Sequence, residues 1–158
     1  MVRSFKAFAT ALAGILAGAC ILAGCAKVNP EDEVLPTGKT LSKEKITDAR
    51  WAALGLEGNV WKLTGLYEFK KGEWTKVETP SISIYYFRDL SNVTYWQGFQ
   101  GGNGRWSYDL SQSELSLGST VYKMFPSGNK ALYLMKDKEL GELTRLSDAD
   151  AAAYKKAR

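Results

Sequence analysis

The chain has 158 residues, with 21 basic and 17 acidic side chains, a formal net charge of +4, two cysteines and no histidine. This length suits a single domain, and so small a charge excess gives no basic footprint for nucleic acid. Without histidine there is no imidazole base or metal ligand, and Cys20 and Cys25 are the only thiols. These counts exclude a cysteine–histidine catalytic pair and an ordinary zinc site. We expect neither a metal nor a cofactor.

The N-terminal stretch has the features of an export signal. Arg3 and Lys6 form a short basic region, and an uncharged apolar run follows. The run ends at Leu22-Ala23-Gly24-Cys25, which resembles a bacterial lipobox. The resemblance implies that residues 1–24 are a signal peptide, and that Cys25 carries fatty acid, such as palmitate, and anchors the chain to a membrane. Cys20 would leave with the signal.

Two other interpretations of this stretch remain open. The apolar run approaches the ~20 residues that a transmembrane helix needs, and cleavage after an A-x-A triplet would give an unlipidated secreted chain. Gly14 and Gly18 weaken the helix, and the large Leu22 favours the lipobox. Ala26 is not the aspartate that retains lipoproteins in some inner membranes. The lipobox resemblance therefore implies a cell-envelope protein, in the outer membrane rather than the inner one.

Beyond the lipobox the sequence divides into three segments. Residues 25–41 are polar and interrupted by prolines, which predicts a lipidated cysteine followed by a flexible tether. Residues 42–146 form the predicted folded domain, which begins with one helix between Ser42 and Gly55. Residues 147–158 are alanine-rich and predict a helical C-terminal tail.

The folded segment alternates apolar and polar residues from Trp61 onwards. Eight or nine short strands recur at roughly the spacing of an antiparallel sandwich or barrel. A turn is predicted at the glycine-rich residues 100–104. Because closure hides the sheet edges, we predict an all-β fold, a small antiparallel barrel of about eight strands. Its many aromatic rings predict a filled interior, with a hollow ligand cavity as the alternative.

Two motifs resemble known families of β-rich bacterial lipoproteins. The glycine that precedes Trp61 by three residues, together with Arg145 on the last strand, resembles the lipocalin-like barrels. That resemblance implies that Arg145 packs over Trp61 by a cation–π contact and closes the barrel end. The segment Asn103-Gly104-Arg105-Trp106-Ser107-Tyr108 resembles the META/HslJ-like lipoprotein domains. Neither family implies a particular chemistry.

No stretch carries an enzyme signature, so we predict no catalytic residue and no enzymatic activity. Carboxylates such as Asp89 and Asp109 fall in predicted turns, where local hydrogen bonding explains them. One stretch mixes aromatic rings with amides, as ligand-binding surfaces do, although alternating core and outer rings would give the same pattern. Its residues are Tyr95, Trp96, Gln97, Phe99, Gln100 and Asn103.

These patterns support two hypotheses for function. The first is a membrane-anchored lipoprotein whose barrel binds a small apolar or amphipathic ligand or has a structural role in the envelope. The second is a protein-interaction module, such as a hydrolase inhibitor or an envelope assembly factor. The partners we expect are the membrane, through the lipid on Cys25, and either a small apolar ligand or an envelope protein.

Overall fold

The computed structural model describes residues 27–157, which form a closed barrel of eight antiparallel strands with one additional strand. The barrel closes where β1 pairs with β9 along seven register positions, from Trp61 opposite Arg145 to Glu68 opposite Glu139. The additional strand, β2, lies on one edge of β1. The predicted all-β barrel is confirmed.

Successive strands pair antiparallel around the barrel, except that β2 and β3 both pair with β1 and not with each other. The strands are β1 (Val60–Lys70), β2 (Glu73–Val77), β3 (Ser83–Phe87), β4 (Asn92–Gln97), β5 (Gln100–Asp109), β6 (Glu114–Leu117), β7 (Thr120–Ser127), β8 (Ala131–Lys136) and β9 (Glu139–Arg145).

Strand β1 is shared by three partners. On one edge its residues 60–62 pair with β3 and its residues 66–70 pair with β2. On the other edge it pairs with β9, with a register shift between Leu63 and Gly65. One extra residue at a bulge reverses which side chains face inward. Leu63 and Leu66 are therefore both in the barrel interior, whereas Tyr67 belongs to a separate buried cluster on the outer surface.

Helix α1 (Asp48–Leu54) closes one end of the barrel. It begins after Thr47, whose hydroxyl accepts a hydrogen bond from a backbone amide, and ends at Gly55 with a left-handed φ of 62°. The predicted end at Gly55 is confirmed, but the helix begins later than Ser42 because Thr47 provides the N-cap. Leu54 joins the interior cluster. We call the end beneath α1 the closed end and the other the open end.

Residues 30–41 lie against the barrel instead of forming the predicted flexible tether. A 3₁₀ helix (Pro30–Asp32) is followed by Leu35 and Leu41, which are 2 % and 5 % exposed. The two leucines cover outward-facing aromatic residues of β1, β2, β7 and β8. Burial of this apolar surface corrects the tether prediction for these residues. Cys25 lies outside the described residues.

Helix α2 (Asp148–Lys156) confirms the predicted helical tail and begins after the capping residue Ser147. It covers a second outer cluster, which includes Val60, Ile84 and Ala151. None of the helices within residues 27–157 has the length and apolar character needed to cross a membrane.

The glycine-rich segment lies in strand β5, so the predicted turn at residues 100–104 is wrong. The turn is instead formed by Gly98 and Phe99, and Gly98 has a φ of 57°. A Cβ atom on Gly102 would come within 2.6 Å of the Tyr95 hydroxyl. Glycine is needed there because the Tyr95 ring covers the backbone of the neighbouring strand.

We predict that Leu35→Ala lowers the free energy of unfolding by about 2 to 4 kcal/mol, because it leaves a cavity over the outer aromatic cluster. The matched control is Val34→Ala, since Val34 is 54 % exposed and should change stability by less than about 0.5 kcal/mol. Urea denaturation of both variants checks this. Equal effects would contradict the packing of this segment on the barrel.

Candidate functional site

The structure divides the predicted aromatic and amide surface between three locations. Tyr95 packs against the interior cluster, and Gln97 is opposite the buried Ser83. Phe99 and Gln100 lie at the β4–β5 turn, where both are exposed.

The other two residues of that surface face outward. Trp96 packs under α2, with its ring 5.2 Å from that of Tyr154. Asn103 is hydrogen-bonded to the Thr94 hydroxyl at 2.7 Å. The six side chains thus do not share one surface, because neighbouring residues of a strand point to opposite faces. Gln97, Phe99 and Gln100 do lie together at the open end.

Trp61 and Arg145 are brought together as direct cross-strand partners. The guanidinium of Arg145 donates a hydrogen bond to the carbonyl of Leu54 at 3.2 Å. The guanidinium contact that the structure shows is this hydrogen bond to α1, and the cation–π contact of Arg145 with Trp61 stays a prediction. Arg145 ties the barrel to α1 through the orphan carbonyls at the helix end.

Aromatic side chains fill the barrel interior. Trp61, Tyr85, Phe87, Trp106 and Tyr122 are each at most 3 % exposed and belong to one buried cluster. Phe87 and Trp106 meet edge to face, with ring centroids 4.9 Å apart. Packing of this kind leaves the interior to the protein's own side chains.

Polar residues line the interior at the open end. We call this group the polar mouth, and it consists of Glu68, Ser83, Gln97, Tyr122, Lys136 and Glu139. Glu68 and Glu139 are cross-strand partners, and the Glu68 carboxylate also pairs with Lys70. Like charges directly opposite each other in a sheet are unfavourable. The Glu68–Glu139 pair therefore differs from the apolar interior beneath it, where the packing is favourable.

The electrostatics of the mouth follow from burial. Desolvation, and then the charge of Glu68, raise the pKa of Glu139 to about 7, against a weaker opposing effect of Lys136. Burial raises the pKa of Tyr85 and that of Tyr122 far above their usual range. Both phenols consequently stay neutral at physiological pH. The mouth can offer hydroxyl groups and one carboxyl group that titrates near neutrality.

A second polar feature lies on the outer surface, beside the β1 bulge. The Tyr67 hydroxyl donates to Glu142 at 3.2 Å, and a Cβ on Gly65 would come within 3.1 Å of the same carboxylate. Desolvation, and then Glu142, raise the pKa of Tyr67 to about 12. An open groove of about 530 Å³ adjoins this position. It is lined by Thr64, Gly65, Lys76, Val77, Glu78 and Thr79.

The carboxylates of Asp89 and Asp109 have the local turn role expected from the sequence. Asp89 accepts hydrogen bonds from the backbone amides of Ser91 and Asn92 at 2.9 and 2.8 Å. Hydrogen bonds from the side chain of Asn92 and from these amides lower the pKa of Asp89 to about 2. Asp109 bonds in the same way to the next turn.

No protein-family model and no curated protein matches the chain. Among solved structures it is similar to an NMR structure of a protein from Burkholderia xenovorans, with 14 % sequence identity and a TM-score of 0.43. That similarity covers 71 % of this chain and 97 % of the other.

We predict that Glu139→Gln stabilises the protein at pH 8 but not at pH 4. The raised pKa means that the folded state binds a proton that the unfolded state has released between about pH 4.5 and 7. Stability is therefore lost as the pH rises through this window. Because Glu139 is partly solvated, we expect a gain on the order of 1 kcal/mol at pH 8.

Urea denaturation at the two pH values measures this gain. The matched control is Glu114→Gln, because Glu114 is exposed at the closed end and should change stability by less than about 0.5 kcal/mol. If Glu139→Gln raised the stability by the same amount at pH 4, the raised pKa of Glu139 could not be the cause of the gain.

Proposed function

We propose that this protein is a lipid-anchored component of the bacterial cell envelope whose barrel is a filled scaffold that contacts other molecules through its surface. The lipobox ending at Cys25 supports the anchor. The single observation that supports surface contact is the ring-filled interior, with Trp61 and Tyr85 both 0 % exposed.

The filled interior favours a structural or protein-interaction role over an internal ligand. A pocket for a drug-sized ligand measures roughly 300 to 1,000 Å³, and aromatic rings occupy that position in this barrel. The turns at the open end are exposed and accessible to other molecules. Phe99, with a relative exposure of 110 %, is at the tip of one of them.

The polar mouth supports a second candidate, which is binding of the polar part of a small amphipathic molecule. Glu139 and Glu68 provide acceptors there, with the hydroxyl of Tyr122 nearby. Such a molecule would contact the mouth without entering the packed interior. Neither candidate assigns a reaction to the protein.

We predict that Cys25→Ser abolishes incorporation of radiolabelled palmitate when the full chain is expressed in a Gram-negative bacterium. The variant should also no longer be recovered in the outer-membrane fraction. Stable anchoring by several acyl chains requires their covalent attachment. The matched control is Cys20→Ser, which removes the other cysteine and should retain the label. Palmitate incorporation that persists in the Cys25→Ser protein would refute the anchor.

A separate prediction concerns the interior. Native mass spectrometry of the full-length protein purified from membranes should show the acylated chain with no further bound mass, because side chains already fill the barrel. A stoichiometric lipid or metabolite would contradict the filled scaffold. If such a mass is lost in Glu139→Gln but not in Glu114→Gln, the polar mouth is its binding site.

A further inference from the structure

We propose that the open end of the barrel rests on the surface of an anionic lipid bilayer. The proposal rests on the lipid anchor described above and adds which face of the protein meets the membrane. Three independent features of the described residues support it: the place from which the N-terminal segment leaves the barrel, the charge of the turns and the exposed apolar side chains.

The N-terminal segment leaves the barrel at the open end. Val28 Cγ2 lies 3.9 Å from the point that a Cβ on Gly72 would occupy, in the turn between β1 and β2. The Trp74 indole donates to the carbonyl of Pro30 at 2.9 Å, and Lys123 pairs with Glu31 at 2.6 Å. These contacts fix residues 28–31 beside the β1–β2 hairpin.

The covalent chain then limits how far this end can be from the membrane. Cys25 precedes Val28 by three residues, which span at most about 11 Å. That is close to the Debye length of about 8 Å at physiological ionic strength. Fatty acid on Cys25 would therefore hold the open end where lipid charge acts on the protein directly.

Basic side chains outnumber acidic ones at the exposed turns of this end. Lys70 and Lys71 adjoin the β1–β2 turn, and Lys138 lies in the β8–β9 turn. The last turn of α2 adds two lysines beside Tyr154, which contacts Trp96 close to the β4–β5 turn. The exposed acids near these positions are Glu73, Glu78, Asp137 and Asp32 of the N-terminal segment, and the half-buried Glu68 and Glu139 lie in the polar mouth between the turns.

The opposite end has the opposite balance, with several exposed acidic residues in α1 and the closed-end turns. They are Asp48, Glu57, Asp89, Asp109 and Glu114, against the exposed bases Arg88 and Lys130 in the turns of the same end. Clustered lysines next to an anchor are attracted by anionic headgroups, whereas acidic turns are repelled. The charge distribution therefore favours an orientation with the open end towards the lipid.

Two exposed apolar side chains project from the same end. Phe99 and Ile82 have relative exposures of 110 % and 62 %, and the amide of Gly98 donates to the carbonyl of Ile82 at 2.9 Å. This hydrogen bond holds the β4–β5 turn beside the residue that precedes β3. A phenylalanine beside lysines is the composition of surfaces that insert into the headgroup region. Leu90, at the closed end, has acidic Asp89 as its neighbour instead.

The test compares fluorescent labels at the two ends. Ser119 and Gln112 are exposed turn residues, at the open and closed ends respectively. Each is replaced by cysteine in the full chain, in a Cys20→Ser background, so that acylated Cys25 leaves one reactive thiol. The labelled proteins are reconstituted in vesicles of phosphatidylethanolamine and phosphatidylglycerol that contain a nitroxide-labelled lipid.

We expect the lipid to quench the label at position 119 several-fold more than the label at position 112. Phe99→Ser should reduce the quenching at 119, and the matched variant Leu90→Ser should not. Equal quenching at the two positions, or stronger quenching at 112, overturns the proposal. It is also overturned if envelope proteins, and not lipid, cover the label at position 119, because the open end would then contact a protein.

Failure of the anchor can be distinguished from failure of the orientation. If mass spectrometry finds no fatty acid on Cys25, the proposed function is wrong. The labelled proteins are then mixed with the same vesicles at low salt, with Cys25→Ser added to keep one thiol. Preferential quenching at 119 would still support the basic, apolar surface, and its absence would reject that surface too.

Discussion

The pairing of β1 with β9 is the constraint on which the rest of the structure depends. It closes the barrel, and its register places Trp61 opposite Arg145 at one end and Glu68 opposite Glu139 at the other. A slip of one residue would turn every side chain of a strand to the other face. The register therefore decides both what fills the interior and which charged groups meet at each end.

The bulge in β1 gives the protein two aromatic clusters from one strand. Before the bulge Trp61 and Leu63 point inward, and after it Tyr67 and Phe69 point outward. A large apolar patch exposed on a small domain would favour association. Residues 30–41 cover that patch, which explains why a proline-containing polar stretch lies on the barrel surface with its two leucines buried.

Sequence patterns predicted the features that depend on local alternation and turn chemistry. These include the barrel class, the helix end at Gly55 and the turn role of Asp89. They did not predict features set by register. The predicted six-residue surface is divided between faces, the glycines of β5 lie beneath aromatic rings, and the Glu68–Glu139 pair becomes visible only when residues far apart in sequence are aligned.

The two barrel ends differ in how they satisfy their polar groups. At the closed end Arg145 and Asn59 donate to carbonyls at the end of α1, at 3.2 and 2.8 Å, so these charges and dipoles have local partners. At the open end Glu68 pairs with Lys70 but is also the cross-strand partner of Glu139, at the edge of a packed aromatic interior. A hydrophobic or oppositely charged cross-strand pair would be more stable there. An unfavourable arrangement of this kind is expected where function, rather than stability, has selected the residues. The glutamate pair thus lies at the same end of the barrel as the exposed Phe99 and the turns that carry lysines.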